Sequence, residues 1–280
     1  MRDADCIAFL QWALPRMNMR WPGFRKVRRQ VCKRIARRMK QLDLKTLDQY
    51  RDRLVDDEDE WLVLDAACRI TISRFYRDKH VFDVLANSVL PAIFESALKE
   101  GRPVRCWCAG CASGEEAYTL AIVWDIVIRP AFPDVDFDII GTDADPVMIS
   151  RAEKACYAPG SFKDMPPEWL DRAFDKSDDE FCVAARYRRR VAILSQDIRD
   201  EMPEGPFDLV LCRNLVLTYF DTSLQGEILK QITARLRPGG YMVIGAHEKL
   251  PQGTRELEAI EACREILRHA NGRSYSSEGS

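Results

Sequence analysis

Several chemical signatures are missing from this 280-residue sequence, and each absence narrows what the chain can do. Only three histidines occur, His80, His247 and His269, so chemistry built on imidazole has little to draw on. No stretch approaches the roughly 18 unbroken apolar residues of a membrane-spanning helix, so no membrane insertion is expected. The first residues carry acids at Asp3 and Asp5 and a proline at Pro15, without a basic leader or a small-residue cleavage site. That pattern predicts a cytoplasmic protein. Ten cysteines are present, and Cys32, Cys68, Cys182 and Cys212 lie among apolar runs, which predicts small buried thiols. Cys106, Cys108 and Cys111 cluster, but no second CxxC or Cys/His pair completes a zinc site, so no metal is expected. Neither a GxGxxG loop nor a Gly-Lys-Ser/Thr phosphate loop is found.

One absence is local. Between Arg20 and Lys40 lie ten Lys or Arg and no acid, while the net charge of the whole chain is only −2. The remainder is therefore acidic, and the basic block needs a partner of its own. Apolar residues make up 46% of the chain, enough for a sizeable core and against wholesale disorder. The basic block shows no aromatic interleaving, zinc finger or helix-turn-helix signature, so no nucleic acid is expected.

Two grammars divide the chain. Residues 1–85 read as helical: Val27, Val31, Ile35 and Met39 recur every four positions, which lines one face of a helix with Arg28, Arg29, Arg34 and Arg37 on the others. A second helix is predicted from near Asp43 and a third over Trp61–Ile70. From residue 86 short apolar runs alternate with helical patterns: Val104–Cys108, Phe137–Ile140, Val191–Leu194, Phe207–Leu211 and Tyr241–Ile244. This predicts an α/β fold, a doubly wound, mostly parallel, Rossmann-like sheet over residues 86–270. Residues 158–190 break the rhythm with Pro159, Pro166 and Pro167 and read as a small inserted β-subdomain. Residues 271–280 read as a frayed tail.

The strand ends carry the chemistry. Val104–Cys108 runs into a turn with Gly110 and Gly114, and a helix then opens on Glu115 and Glu116. Glycines let backbone approach a ligand, but acids at a helix start repel a phosphate and suit an ammonium or sulfonium group. The second strand ends at Asp143, placed to bind a ribose diol, and Asp145 before Pro146 reads as a helix N-cap. Ser195-Gln196-Asp197-Ile198 suits an adenine ring, and Arg213-Asn214 close the next strand. Together these predict adenosine recognition without phosphate recognition, which S-adenosylmethionine satisfies better than NAD or ATP.

These residues resemble the CheR family of S-adenosylmethionine-dependent protein-glutamate O-methyltransferases of chemotaxis receptors. The matching pieces are Ser73-Arg-Phe-Tyr-Arg77-Asp78, Trp107-Cys-Ala-Gly-Cys-Ala-Ser-Gly-Glu-Glu-Ala-Tyr118, Gly141-Thr-Asp-Ala-Asp145, Phe207-Asp-Leu-Val-Leu-Cys-Arg-Asn214 and Tyr219-Phe-Asp221. The resemblance implies that Thr71, Ser73, Arg77, Gly110, Glu116, Asp143, Asp197, Ile198, Arg213 and Asn214 bind the cofactor. It implies that Arg77 and Tyr219 stand nearest methyl transfer, and that the 158–190 subdomain docks a receptor tail in some members. Two departures stand out. Four residues, Leu215–Thr218, separate Asn214 from Tyr219 where the family usually has three, which brings Thr218 into the tyrosine's register. The usual Phe-Phe-Arg is Phe75-Tyr76-Arg77.

The expected reaction is methyl transfer to a carboxylate, most readily a glutamate of a chemoreceptor-like protein. The alternative is the same fold acting on a small molecule or another protein. The basic helix, through Arg28, Arg29, Arg34 and Arg37, is then expected to dock an acidic protein surface. The sequence leaves the oligomeric state open.

Overall fold

The computed structural model describes residues 2–270; the tail read over 271–280 lies outside the described residues. In chain order the helices α1 (Asp3–Ala13), α2 (Trp21–Phe24), α3 (Arg28–Gln41), α4 (Leu47–Asp56) and α5 (Glu58–Cys68) come first. After them run α6 (Lys79–Glu100), β1 (Val104–Ala109), α7 (Glu115–Val123), β2 (Phe137–Asp143) and α8 (Pro146–Lys154). The inserted segment holds β3 (Cys156–Tyr157), α9 (Pro167–Ala173), β4 (Phe174–Ser177), β5 (Glu180–Val183) and α10 (Ala185–Arg188). Then follow β6 (Val191–Ser195), β7 (Phe207–Cys212), α11 (Val216–Tyr219), α12 (Thr222–Arg235), β8 (Leu236–Val243), β9 (Leu257–Ile260) and β10 (Cys263–His269). Two compact units result: Met1–Thr71 with Leu215–Gly226, and Ile72–Asn214 with Glu227–Ser280.

The first unit is helical. In α3 the four-residue spacing does what it predicts, burying Val31, Ile35 and Met39 on one face. Helix α4 starts at Leu47, four residues after Asp43, because Thr46 and Gln49 form a reciprocal capping box there. Glu60 opens α5 and is 1% exposed. Its carboxylate accepts Arg38 Nε at 2.9 Å, Arg38 Nη2 at 2.6 Å and the Tyr50 hydroxyl at 2.8 Å, so three helices share one anion. Burial pushes the Glu60 carboxyl up, but the Arg38 and Tyr50 hydrogen bonds outweigh it and leave it below the usual range. The depressed value means its stabilisation is full above the ordinary glutamate pKa and is lost as pH falls through the folded value. Glu60→Ala should therefore cost roughly 2 kcal/mol in urea unfolding at pH 7. That difference should shrink in acid below about pH 4.

The second unit is built on a seven-stranded sheet in the order β6-β2-β1-β7-β8-β10-β9. β1 pairs in parallel with β2 and β7, β2 with β6, and β7 with β8, while β10 runs antiparallel to β8 and β9. The expected doubly wound, mostly parallel sheet is thus present. β1 leads outward to β2 on one side, and β7 pairs on its other side. That reversal opens a crevice beyond the carboxyl ends of β1 and β7, where Ala109 and Cys212 lie side by side. The closing β9–β10 hairpin is invisible to periodicity, since Glu-Ala-Cys-Arg-Glu-Ile-Leu-Arg reads as helix and only pairing on β8 makes it strand. β8 begins at Leu236, before Pro238-Gly-Gly, and its register on β7 shifts there, so those residues bulge within a strand.

A three-stranded antiparallel sheet, β3-β5-β4, forms the insert. Phe75 stacks on Phe162 at 5.0 Å and meets Tyr157 and Phe174 edge-on. That aromatic knot carries residues 72–85 into the second unit, whereas composition assigned them to the helical one. Helix α6 is long and apolar enough to cross a membrane by length and composition, but Val81, Phe82, Leu85, Leu90 and Phe94 are buried in this unit's core.

The expectation of free, buried thiols fails at Cys32 and Cys182. Cys6 pairs with Cys32, joining α1 to α3, and Cys156 pairs with Cys182 directly across β3 and β5. Equal separations of 26 residues gave no local signal; the fold supplies the proximity. Cys68, Cys106, Cys108, Cys111 and Cys212 form no disulfide and are buried, and burial pushes the Cys68 thiol up to about 12.

Candidate active site

Four strand ends of the second unit bring their polar residues to one edge of the sheet, because β6, β2, β1 and β7 are parallel neighbours. After β1 the chain turns through Gly110 (φ +70°), Ala112 (φ +48°) and Gly114 (φ +89°) into α7. A side chain on Gly114 would press within 3.0 Å of the Tyr118 ring and 3.1 Å of Ala152, so glycine is required there twice over. Asp143 fixes this loop: Oδ2 accepts the Ala112 N–H at 2.8 Å and Oδ1 accepts the Asp145 N–H at 2.9 Å. Asp145 caps α8 by accepting from Val147 at 2.9 Å, as expected.

Of the two acids opening α7, Glu115 turns inward and is 2% exposed. Its oxygens accept the Ser113 hydroxyl at 2.9 and 3.0 Å, and Ser73 donates to it as well. Burial nevertheless raises its carboxyl above the usual glutamate range, offset only in part by backbone and hydroxyl donors. A raised value means stability is full below the ordinary pKa and is lost as pH rises through the folded one. Glu115→Gln should therefore raise Tm at pH 7.5 by about 2–4 °C, the shift of roughly 1 kcal/mol in a chain of this size. At pH 4 the two proteins should melt together, which differential scanning calorimetry checks.

Glu116 points the other way, toward Arg213. Arg213 is 8% exposed and donates Nη1 to Glu116 Oε2 at 2.7 Å. Its Nη2 donates to the Asp78 carboxylate and, at 3.2 Å, to the Arg77 carbonyl. Burial alone would lower the guanidinium pKa; Glu116 and Asp78 reverse that and raise it. Arg77 itself sits between two left-handed residues, Tyr76 (φ +57°) and Asp78 (φ +61°), and donates Nη1 to the Ile72 carbonyl at 2.7 Å. Left-handed backbone in non-glycine residues is uncommon, and four cases fall in these segments: Tyr76 and Asp78 before α6, Ala112 after β1 and Asn214 (φ +55°) after β7. Strain of this kind concentrates at functional sites.

The remaining sequence-predicted residues are placed as follows. Asp197 pairs with Arg199 at 2.6 Å, and Ile198 beside it is buried. The Asn214 N–H donates to Glu248 at 2.9 Å, and the Gly245 N–H meets the same carboxylate oxygen at 2.6 Å. Thr71 closes the first stretch of the helical unit, and Tyr219 ends α11 within that unit, packed on Phe24 at 5.0 Å. Of the basic helix, Arg28 pairs with Asp3 at 2.9 Å and Arg34 donates to the Ala67 carbonyl at 3.2 Å and to that of Arg69, so both serve the helical fold. Arg29 and Arg37 are exposed, and Lys33 and Lys40 extend them into a stripe along α3.

This donor set fits S-adenosylmethionine. Gln196 Oε1, at the end of β6, is buried without a hydrogen-bond donor among the described residues, and an adenine amino group would supply one. Carboxylates at Asp143 and Glu116 suit a ribose diol and a cationic methionine portion.

Residues 71–266 match the CheR methyltransferase S-adenosylmethionine-binding domain. The chain belongs to the CheR methyltransferase family. A chemotaxis protein methyltransferase of Pseudomonas aeruginosa is 31% identical over 227 residues, covering 79% of this chain and 81% of that protein. A probable chemotaxis protein methyltransferase of Rhizobium etli is 31% identical over 183 residues, 64% of this chain and 67% of the relative. An uncharacterised 104.1 kDa protein of Rhodobacter capsulatus is also 31% identical, over 84% of this chain, which spans only 25% of that relative. The resemblance, the fold class, the methyltransferase assignment and S-adenosylmethionine as cofactor therefore hold for this CheR-type chain.

Sequence reading overlooked Asp78 and Glu248, and it took Glu115 together with Glu116 as acids suited to a cationic ligand, whereas Glu115 turns inward. Asp78 stood in the quoted motif directly after Arg77, but its partner lies 135 positions away.

Proposed function

We propose that this CheR-family chain methylates glutamate side chains of an acidic, chemoreceptor-like protein, forming γ-glutamyl methyl esters. The observation that carries the reading is the exposed basic stripe of α3, Arg29, Lys33, Arg37 and Lys40, for which no acid of the chain supplies an ion pair among the described residues. Such a stripe fits an acidic helical surface and raises its rate of encounter. Relatives named as chemotaxis protein methyltransferases support the same acceptor.

S-adenosylmethionine supplies a methyl activated on a sulfonium. The chain's own task is placement. A glutamate carboxylate, with a pKa of about 4.3, is ionised at neutral pH and needs no general base, only in-line orientation. Arg77 is the group to orient that carboxylate through its guanidinium fork, and Tyr219 steers an acceptor oxygen, with Thr218 beside it in α11. Thr71, Ser73, Arg77, Gly110, Glu116, Asp143, Asp197, Ile198, Arg213 and Asn214 are assigned to cofactor binding. Ser73 acts there through Glu115, and Asp143 acts both through the glycine loop and toward the ribose. A cytoplasmic location belongs to the same proposal.

The test is a tritiated-methyl assay with receptor-derived glutamate-rich helices against a metabolite pool. Label on protein that is released as methanol by mild base is expected. Base-stable label, or label confined to small molecules, would replace this acceptor by another protein group or a metabolite.

A further inference from the structure

Glu248 joins two loops at the carboxyl ends of β7 and β8. A single oxygen, Oε2, accepts the Gly245 N–H at 2.6 Å and the Asn214 N–H at 2.9 Å. The Glu248 N–H in turn donates to the Gly245 carbonyl at 2.9 Å, which closes the second loop on itself. Both bound N–H groups lie beyond the last strand residues, Cys212 and Val243, where β7 and β8 no longer supply ladder acceptors. A donor left unpaired there is costly, because Gly245 is buried. The fit is close: a Cβ on Gly245 would stand 2.7 Å from Asn214 Oδ1 and 2.9 Å from Glu248 Oε2. Asn214 itself is held in left-handed backbone (φ +55°) and is the residue at which the chain leaves the second unit. Its neighbour Arg213 is fixed through the guanidinium by Asp78 and Glu116, so consecutive residues are anchored separately, one by side chain and one by N–H.

We propose that Glu248 is a positioning residue of the cofactor site, whose carboxylate takes over where the strand ladder ends and holds Asn214 against S-adenosylmethionine. A carboxylate suits this task because one anionic oxygen accepts two N–H donors at a single point, and such charge-assisted bonds are roughly twice as strong as neutral ones. With the carboxylate removed, two donors turn to water and the left-handed residue loses the contact that selects its conformation.

The inference rests on the reading that Asn214 lines the cofactor site, and the experiment separates the two. Isothermal titration calorimetry of S-adenosylmethionine on the full chain compares wild type with Glu248→Ala, Glu248→Gln, Gly245→Ala and Asn214→Gly, in formate or chloride of equal ionic strength. Glu248→Ala is expected to bind about tenfold more weakly, the effect of losing hydrogen bonds to a charged group. Formate returns a carboxylate to the vacated place and should bring that variant to within about threefold of wild type. Glu248→Gln keeps an uncharged acceptor of the same reach and should lose no more than about threefold. Gly245→Ala pushes on the Asn214 side chain with the carboxylate still present, so its weaker binding should not respond to formate. A merely structural role would lower the melting temperature of Glu248→Ala and leave its cofactor affinity at the wild-type value. That result, or a loss that formate does not touch, overturns the proposal. Faster methyl transfer by Glu248→Ala, slowed by formate, would make the two N–H groups the seat of a substrate carboxylate and overturn it as well. If Glu248→Ala does not fold, Gly245→Ala carries the test, and wild-type affinity in that variant is equally fatal. Glycine accepts left-handed backbone, so wild-type binding by Asn214→Gly would remove the Asn214 side chain from the site and the underlying reading with it. Weak binding by Asn214→Gly beside an unaffected Glu248→Ala would keep the site and discard the role of Glu248.

Discussion

Arg77→Ala is expected to lower kcat for methyl transfer by roughly 100- to 1,000-fold, the usual cost of removing a positioned charged donor. Arg77 is flanked by left-handed Tyr76 and Asp78, and its guanidinium rests on the Ile72 carbonyl at 2.7 Å. The segment is thus fixed before a substrate arrives, and little freedom is left to lose on binding. Fixed geometry is what an in-line displacement without a base requires. Arg77→Lys should recover little, because an ammonium presents a point charge where a planar fork is needed to hold a carboxylate. A filter assay with tritiated S-adenosylmethionine reads kcat, and calorimetry reads cofactor affinity. A loss of affinity as large as the loss of kcat would move Arg77 from acceptor orientation to cofactor binding.

Gly23→Ala should reduce turnover about 100-fold, although a methyl group is all it adds. A Cβ at Gly23 would stand 2.2 Å from the Thr218 carbonyl oxygen and 3.2 Å from the Tyr219 ring. The obstacle is backbone, so it cannot swing aside. Arg20 clamps the same turn from below, donating Nε to Thr218 at 3.2 Å, while the Arg20 N–H donates to the Tyr219 carbonyl at 2.8 Å. The added methyl must push α11 outward by more than 1 Å, and if Tyr219 acts on the acceptor as proposed, a displacement of that size commonly costs two orders of magnitude. Overpacking should also cost about 1–3 kcal/mol in urea unfolding. Calorimetry should still find S-adenosylmethionine bound within threefold of wild type, since the proposed cofactor residues of the glycine loop lie in the other unit. Unchanged turnover in a folded Gly23→Ala protein would separate the position of Tyr219 from catalysis.

Legibility differed sharply between elements. The parallel strands were visible as apolar runs because both faces of that sheet are covered, which makes burial continuous along the chain. The β9–β10 hairpin was not, since its Glu and Arg positions favour helix until an edge is available to pair with. The glycine loop, Asp143 and Arg213 were readable as polar residues directly after apolar runs. Their partners were not readable: Ala112 for Asp143 and Asp78 for Arg213 are meetings of distant segments. The basic helix illustrates the division most clearly. Sequence marked Arg28, Arg29, Arg34 and Arg37 as one docking surface, but Arg28 and Arg34 are bound within the helical unit. The outward stripe runs through Arg29, Lys33, Arg37 and Lys40.

The ordered chemistry at strand ends was settled by the sequence itself, because strand, turn and helix propensities act within a few residues. So were the cofactor class and the place of the chain among CheR methyltransferases, which follow from those motifs. Tertiary structure alone decided which charges are spent and which remain. It paired Cys6 with Cys32, seated Arg28 on Asp3, and left Arg213 between Asp78 and Glu116. The reason is physical: the energy of a charge depends on what surrounds it within a few ångströms, and those neighbours come from positions the sequence keeps far apart.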